Sequence, residues 1–206
     1  KQNADSYRKI RNTFRFLIAN LDDFKKEMLC DVNTLPELDK YMLVVLKESV
    51  DKAQLAYKEY RFADVLSTLM NLMVNEFSSY YLDYTKDILY IEKENDLRRR
   101  QVQTVLYYAL DAFTRAYAPI LVHTCEEVND FMQFEEESIH LGTFANLPVF
   151  ENAEELTIQR EITKDGKSSI KINGKNASLQ TLKLVTANLI DIHSQHESLL
   201  IGNDLF

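Results

Sequence analysis

Glycine is scarce here, with four in 206 residues. Loops that cradle phosphate on glycine backbones are therefore nearly excluded. The chain has no Gly-x-x-x-x-Gly-Lys-Ser/Thr, no Gly-x-Gly-x-x-Gly and no Gly-x-Ser-x-Gly. Cysteine is scarce too. Cys30 and Cys125 lie far apart and lack companions at metal-ligand spacing, so no zinc site is expected and a reducing, cytoplasmic setting is the simpler reading. No apolar run approaches a membrane span and no secretory signal opens the chain, so no membrane partner is expected. The first residue is Lys1 rather than Met, which suggests a start inside a longer protein. Positive charge is in deficit: 24 Lys and Arg face 32 Asp and Glu, for a net charge of -8. Such a surface repels nucleic acid as a whole, and any contact with it must use a local basic patch.

What is present begins with Tyr7–Leu17. Ile10, Phe14, Leu17 and Leu21 fall at i, i+4, i+7 and i+11, one apolar helical stripe. Arg8, Arg11 and Arg15 form a second stripe, turned from the first by roughly 110° at about 100° per residue. Guanidinium groups so placed pair bidentately with phosphate or carboxylate. A solvated basic face, or salt bridges to neighbouring acids, would give the same pattern.

The character of the chain changes near residue 150. Gly142 is the only glycine before it, and Phe150 and Phe206 are the only aromatics after Pro148. Before the change, five amphipathic helices are expected. They run from about Asp5 to Asp23, from Pro36 through Tyr57, from Phe62 to Tyr80, and from Leu97 to Tyr117, with a short fifth opened by a Thr124–Glu127 capping box. Short joins between such helices imply an antiparallel bundle. After the change, Leu156, Ile158 and Ile162, then Ile170 and Ile172, alternate with polar residues around Asp165-Gly166. Ser178 is placed to cap a helix carrying Leu182, Val185 and Leu189. The expected fold is thus mainly α, an antiparallel helical bundle with a small C-terminal β-hairpin plus helix. The expected divisions are 1–132 for the bundle, 133–155 for a linker and 156–206 for the hairpin–helix segment.

Few other residues carry chemistry. Glu135-Glu136-Glu137 reads as a solvated loop, and His123 as structural or solvent-facing. His193 and His196 lack the further ligands that a metal site needs. Arg98-Arg99-Arg100 opens the fourth helix, where positive charge opposes the helix dipole. That cost calls for partners, either acids such as Glu92, Glu94 and Asp96 or a phosphate. Tyr80, Tyr81 and Tyr84 are possible base stackers, although such a row is more often core.

The stretches YRKIRNTFRFL (7–17), ELDKYML (37–43) and FSSYYLDYTKDILYIEKENDLRRRQVQTVLYYALDAFTRAYAPILVHTCEEV (77–128) resemble the isoleucyl-tRNA synthetase family, over about 1–148. The resemblance implies the helical anticodon-binding domain of that class I synthetase. It implies tRNA(Ile) as partner, beside the parent's catalytic domain. One departure is Asn129, where Trp usually follows Glu-Glu-Val. The HIGH and KMSKS-type motifs are not in these residues, so the chain is expected to be positional rather than catalytic and inactive alone. It needs no cofactor of its own, although the parent families use ATP and Mg. By residue chemistry, Arg8, Lys9, Arg11 and Arg15 are the first candidates for phosphate contact and Arg98, Arg99 and Arg100 the second. Asn12 is suited to a base edge.

Residues 156–197 resemble a different family, the ATPase head of the SMC-like RecN DNA-repair proteins, through the Ile172-Asn173-Gly174 turn and Asp191–Glu197. That resemblance makes Gln195 a Q-loop glutamine, with Ser194 where glycine is usual. Walker A, signature and Walker B segments are missing. The two likenesses meet between about Leu147 and Leu156 and imply a fused or composite chain. An ATPase-head fragment acting on DNA, nucleotide or another head is the alternative reading, and an inert helical scaffold is a third.

Overall fold

The computed structural model describes residues 2–150 apart from 133 and 135, with side chains from residue 4, and beyond them only the backbone of three short strands. The chain divides into two compact units, 1–151 and 152–206. The first unit is helical, as the periodicity implies. Its α-helices are α1 (Gln2–Ala19), α2 (Glu37–Lys58), α3 (Phe62–Asn71), α4 (Leu82–Ile91), α5 (Leu97–Tyr117) and α6 (Val122–Met132). None is long and apolar enough to cross a membrane among the described residues.

The apolar stripe of α1 is buried: Ile10, Phe14, Leu17 and Leu21 all lie in the core. Asn20 ends the helix by turning its amide back onto the Phe16 carbonyl at 2.8 Å. Helix α5 is central. It packs against α1, α2, α4 and α6, and it buries Val102, Val105, Leu106, Ala109, Leu110 and Phe113. Asp96 caps it, accepting from the backbone N–H groups of Arg98 and Arg99 at 2.7 and 3.3 Å.

The expected third helix is longer than its pattern suggested. A π-helical stretch, Leu72–Tyr81, joins α3 to α4 without a break, so one rod runs from Phe62 to Ile91. The reason is visible in the buried residues. Leu69, Met73, Phe77, Tyr81, Thr85 and Leu89 are spaced strictly by four. On an α-helix such a row drifts about 40° per step. The wider π turn winds it back, which holds Phe77 edge-on to Phe113 of α5 at 5.3 Å.

Two expectations fail locally. Thr124 and Glu127 do not form a capping box, because α6 already begins at Val122. The bundle also does not end at 132. Phe134, Ile139 and Leu147 are buried in its core, and the first compact unit reaches residue 151. Arg115 of α5 fastens this segment. It donates to both carboxylate oxygens of Glu136 at 2.8 and 2.7 Å and to the Thr143 carbonyl at 3.1 Å. Gly142 is needed there for space, since a Cβ would overlap the Arg115 guanidinium and lie 2.7 Å from Glu136 Oε1.

In the second unit, β1 (Ile158–Ile162) pairs antiparallel with β2 (Ser168–Ile172), with Ile158 opposite Ile172 and Ile162 opposite Ser168. Strand β3 (Lys175–Asn176) pairs with β2. The Asp165-Gly166 turn, the helix expected after Ser178, and His193, Gln195 and His196 lie outside the described residues.

Candidate nucleic-acid interface

Helices α1 and α6 lie together, and hydrogen bonds join their side chains at two successive levels one helical turn apart. At the first, Tyr7 and Thr124 share a hydroxyl–hydroxyl hydrogen bond of 3.0 Å. At the second, Arg11 grips Glu127 bidentately at 2.9 and 3.0 Å. These bonds raise the Arg11 pKa above its ordinary value and lower that of Glu127. The two residues of the supposed capping box are thus the α6 half of an interhelix tie. Beyond them stand Arg15 on α1 and Phe131 on α6. They are not joined. They line a shallow, open depression of the surface together with Asn12, Phe16, Ile18 and Ala19.

The first basic cluster therefore divides. Arg8 is exposed and pairs only with Asp5, three residues away at 3.2 Å, a contact worth little in water. Lys9, Asn12 and Arg15 are exposed. Arg15 has no ion pair among the described residues, and Asn12 no side-chain hydrogen bond. Arg11 is committed to Glu127 and does not present a free guanidinium. The strip that faces solvent is Arg8, Lys9, Asn12 and Arg15.

The second basic cluster is paired differently from the first. Arg98, Arg99 and Arg100 fan in different directions, and each is engaged inside the bundle. Arg98 binds the fully buried Asp39 of α2, with Nη2 at 3.2 Å from Oδ1. Asp39 also accepts from the Tyr81 hydroxyl at 2.8 Å. Arg99 pairs with Asp23 at 2.9 Å. Arg100 donates to the Asp23 carbonyl at 3.0 Å and to Gln103 at 2.8 Å, and stacks over Phe24. Their partners are acids, but Asp39 and Asp23 rather than Glu92; Glu94 is only 3.8 Å from Arg100, and Asp96 serves the backbone. These guanidinium groups tie α5 to α2 and to the segment that follows α1.

Of the tyrosines, Tyr81 is fully buried and cannot stack on a ligand. Burial raises its pKa well above the ordinary value. Tyr80 is half-buried and Tyr84 exposed. His123 is exposed, and the described residues hold no group of three metal-ligating side chains. Glu136 of the acidic run is the clamp on Arg115 rather than a solvated loop residue. Asn129, the departure after Val128, is buried and donates to the Glu136 carbonyl at 3.3 Å. Phe131 was not singled out in the sequence. An aromatic 68% exposed in the last turn of an otherwise packed helix is its only signal, and exposure is not readable from the chain alone.

A helical bundle with an open cationic and amide-bearing strip beside an exposed ring defines a binding module. The chain belongs to the family described as the anticodon-binding domain of tRNA ligase, whose profile matches residues 39–188. Among its relatives are the isoleucine–tRNA ligase of Pediococcus pentosaceus, 39% identical over 168 residues, and that of Bacillus cereus strain B4264, 48% identical over 158 residues. The aligned parts cover 81% and 76% of this chain but 18% and 17% of those proteins, so the chain spans under a fifth of their length. The family match runs through residue 188, across most of the stretch that resembles RecN.

Proposed function

We propose that this chain binds the anticodon stem-loop of an isoleucine tRNA and holds it for a catalytic domain of an isoleucine–tRNA ligase. The observation that carries the reading is the family match over 39–188, joined by relatives that are isoleucine–tRNA ligases. The contact surface is the α1 strip. Arg8, Lys9 and Arg15 supply phosphate contacts and Asn12 a base-edge contact, while Arg11 fixes α1 against α6. The role is positional. The tail belongs with the same protein on this reading; its likeness to a RecN head, with Gln195 as Q-loop glutamine, is a property of the sequence to which no ATP, Mg or DNA role is attached.

Filter binding of the 206-residue chain to an isoleucine tRNA transcript tests it. With three phosphate contacts, log K should fall by about 2 units per tenfold rise in salt, at roughly 0.7 per contact on single-stranded RNA. Arg15→Glu should weaken binding and reduce that slope by about 0.7. Affinity that is flat with salt, or unchanged when Arg8, Lys9 and Arg15 are all replaced by Glu, removes the α1 strip as the RNA surface and favours an inert scaffold.

A further inference from the structure

Helix α2 runs against the rod that continues α3 into α4, and the Tyr81 hydroxyl ties the two by donating to Asp39 at 2.8 Å. The side chains that flank this buried tie reach solvent. On the rod they are Glu76, Tyr80 and Tyr84, four residues apart; on α2 they are Tyr41 and Glu48. Tyr41 is 54% exposed and Tyr84 38%, Glu48 is exposed, and Tyr80 and Glu76 are half-buried. The five form one patch electrostatically. Burial raises the Tyr41 pKa, and the nearby Glu76 and Glu48 raise it further. Burial also raises that of Tyr80, with added contributions from Tyr41, Tyr84 and Glu76. Among the described residues none of the five has a hydrogen bond, an ion pair or a ring contact. The cations beside them are engaged elsewhere. Lys40 pairs with Glu37 at 3.0 Å, Lys47 with Asp51 at 2.8 Å and Lys86 with Asp83 at 2.7 Å. Arg98, whose charge reaches Tyr84, is bound to Asp39. The patch is thus three open phenol rings and two unpaired carboxylates, with no free cation among its neighbours.

We propose that this α2–rod face docks a polypeptide segment through its arginine side chains, with Tyr41, Tyr80 and Tyr84 offering ring faces to the guanidinium groups and Glu76 and Glu48 pairing with them. A ring face attracts a cation, and a carboxylate beside it adds a bidentate partner. Guanidinium meets both at once because it is planar and forked, which ammonium is not. A nucleic acid would bring phosphate against two unpaired carboxylates. A small quaternary ammonium would cover one ring, whereas Tyr41 to Glu48 alone spans about 10 Å of α2 at about 1.5 Å per residue. That length suits an extended chain with more than one basic side chain. The inference is independent of the RNA-binding reading, since it uses α2 and the rod rather than the strip on α1.

The test is fluorescence anisotropy of the full chain with two labelled peptides of equal length and charge, one bearing arginines and the other lysines between glycine and serine. The arginine peptide should bind severalfold more tightly. Tyr41→Leu combined with Tyr84→Leu should weaken it about tenfold, the loss of two exposed cation–ring contacts, and remove the preference over lysine. Tyr41→Phe combined with Tyr84→Phe should keep both, because the ring faces remain. Glu48→Gln with Glu76→Gln should weaken both peptides. Glu27→Gln with Glu92→Gln, the same change of net charge on other exposed acids, should not. Both tyrosines lie at the surface, so the leucine variant should melt as the wild type does; where it does not, the two glutamine pairs, which leave packing unchanged, decide. An equal effect of the two glutamine pairs means attraction by net charge alone and overturns the docking face. Unchanged affinity of a folded leucine variant overturns it, as does a phenylalanine variant as weak as the leucine one. Absence of binding of the arginine peptide to wild type overturns it as well. Self-association of wild type in sedimentation that the leucine pair abolishes gives the face to a second copy of the chain and overturns the peptide partner.

Discussion

Arg98, Arg99 and Arg100 are neighbours in sequence, yet their guanidinium groups end on Asp39 and Asp23, side chains on different parts of the bundle. Consecutive helical residues point about 100° apart, so a run of three arginines makes a fan rather than a patch. Asp39 shows what the arrangement is for. It is fully buried, and a buried carboxylate without a cation is costly. Arg98→Ala should therefore lower stability by about 3 kcal/mol in a urea melt, although Tyr81 still donates to Asp39. The affinity of the folded variant for RNA, measured below its melting temperature, should not change. A loss of RNA binding with unchanged stability would return Arg98 to the interface. Tyr60 is the other residue with a cost of its own. It sits at φ 58°, in the left-handed region, where Arg61 N–H reaches back to the Ala56 carbonyl at 2.8 Å and Tyr60 N–H to that of Tyr57 at 3.1 Å. This is the Schellman closure of α2, a position that favours glycine. Tyr60→Gly should stabilise the protein by up to about 1 kcal/mol, less whatever its edge contact with Phe62 contributes. A destabilised variant would show that the ring contact outweighs the backbone strain.

At the scale of elements, the helices were legible and their ties were not. The stripe of α1 and the long apolar face of α5 could be read directly because burial repeats with the helical period. The row of fours from Leu69 to Leu89 also lay in the sequence, but its meaning, a π-helical stretch in a continuous rod, follows only once the rod must keep one face on α5. Thr124 and Glu127 carry a local signal for a cap and are instead used by α1, more than a hundred residues away. Arg11, Arg15 and Arg8 look alike in sequence and differ only in what α6 sets against them. The C-terminal turn of α2 gave no signal, since a tyrosine holds the place where glycine is expected. The Arg115–Glu136 clamp was hidden because Glu136 lies in an acidic run that reads as solvated. That clamp makes a pH prediction. Hydrogen bonds from Arg115 lower the Glu136 pKa below its ordinary value. The stabilisation is present above the ordinary carboxylate pKa and is lost as pH falls through the depressed one. Hydrogen exchange at the backbone amides of 136–143 should accelerate relative to α5 as pH is taken down through that range, after correction for intrinsic exchange. Glu136→Gln should show fast exchange there already at neutral pH. Exchange that keeps pace with α5 throughout would mean the apolar residues alone hold the segment.

At the scale of the whole molecule, the net charge of -8 and the RNA-binding reading are reconciled by placement. Many of the basic side chains are neutralised within the bundle, and the cations left open on α1 are few. Such a surface gives local attraction at close range and repulsion beyond about a Debye length, which suits a domain that grips one loop and leaves the rest of a nucleic acid alone. The same scale decides where the bundle ends. A chain cut after Met132 keeps every α-helix but loses Phe134, Ile139 and Leu147 from the core, together with the Glu136 clamp. Each such side chain contributes about 1.5–3 kcal/mol when fully buried, and these figures are upper estimates because the unfolded chain is already partly compact. A fragment of residues 1–132 should therefore be less stable than one of residues 1–151 by about 5 kcal/mol, a difference large enough to abolish a cooperative melt in a domain of ordinary stability. The 1–151 fragment should melt cooperatively by itself, and limited proteolysis of the full chain should leave a core that includes residues 134–147. If the two fragments melt alike, the segment after Met132 is a bystander and the helical bundle is complete without it. If instead neither fragment folds, residues beyond 151 are needed for the bundle and the two compact units are not independent.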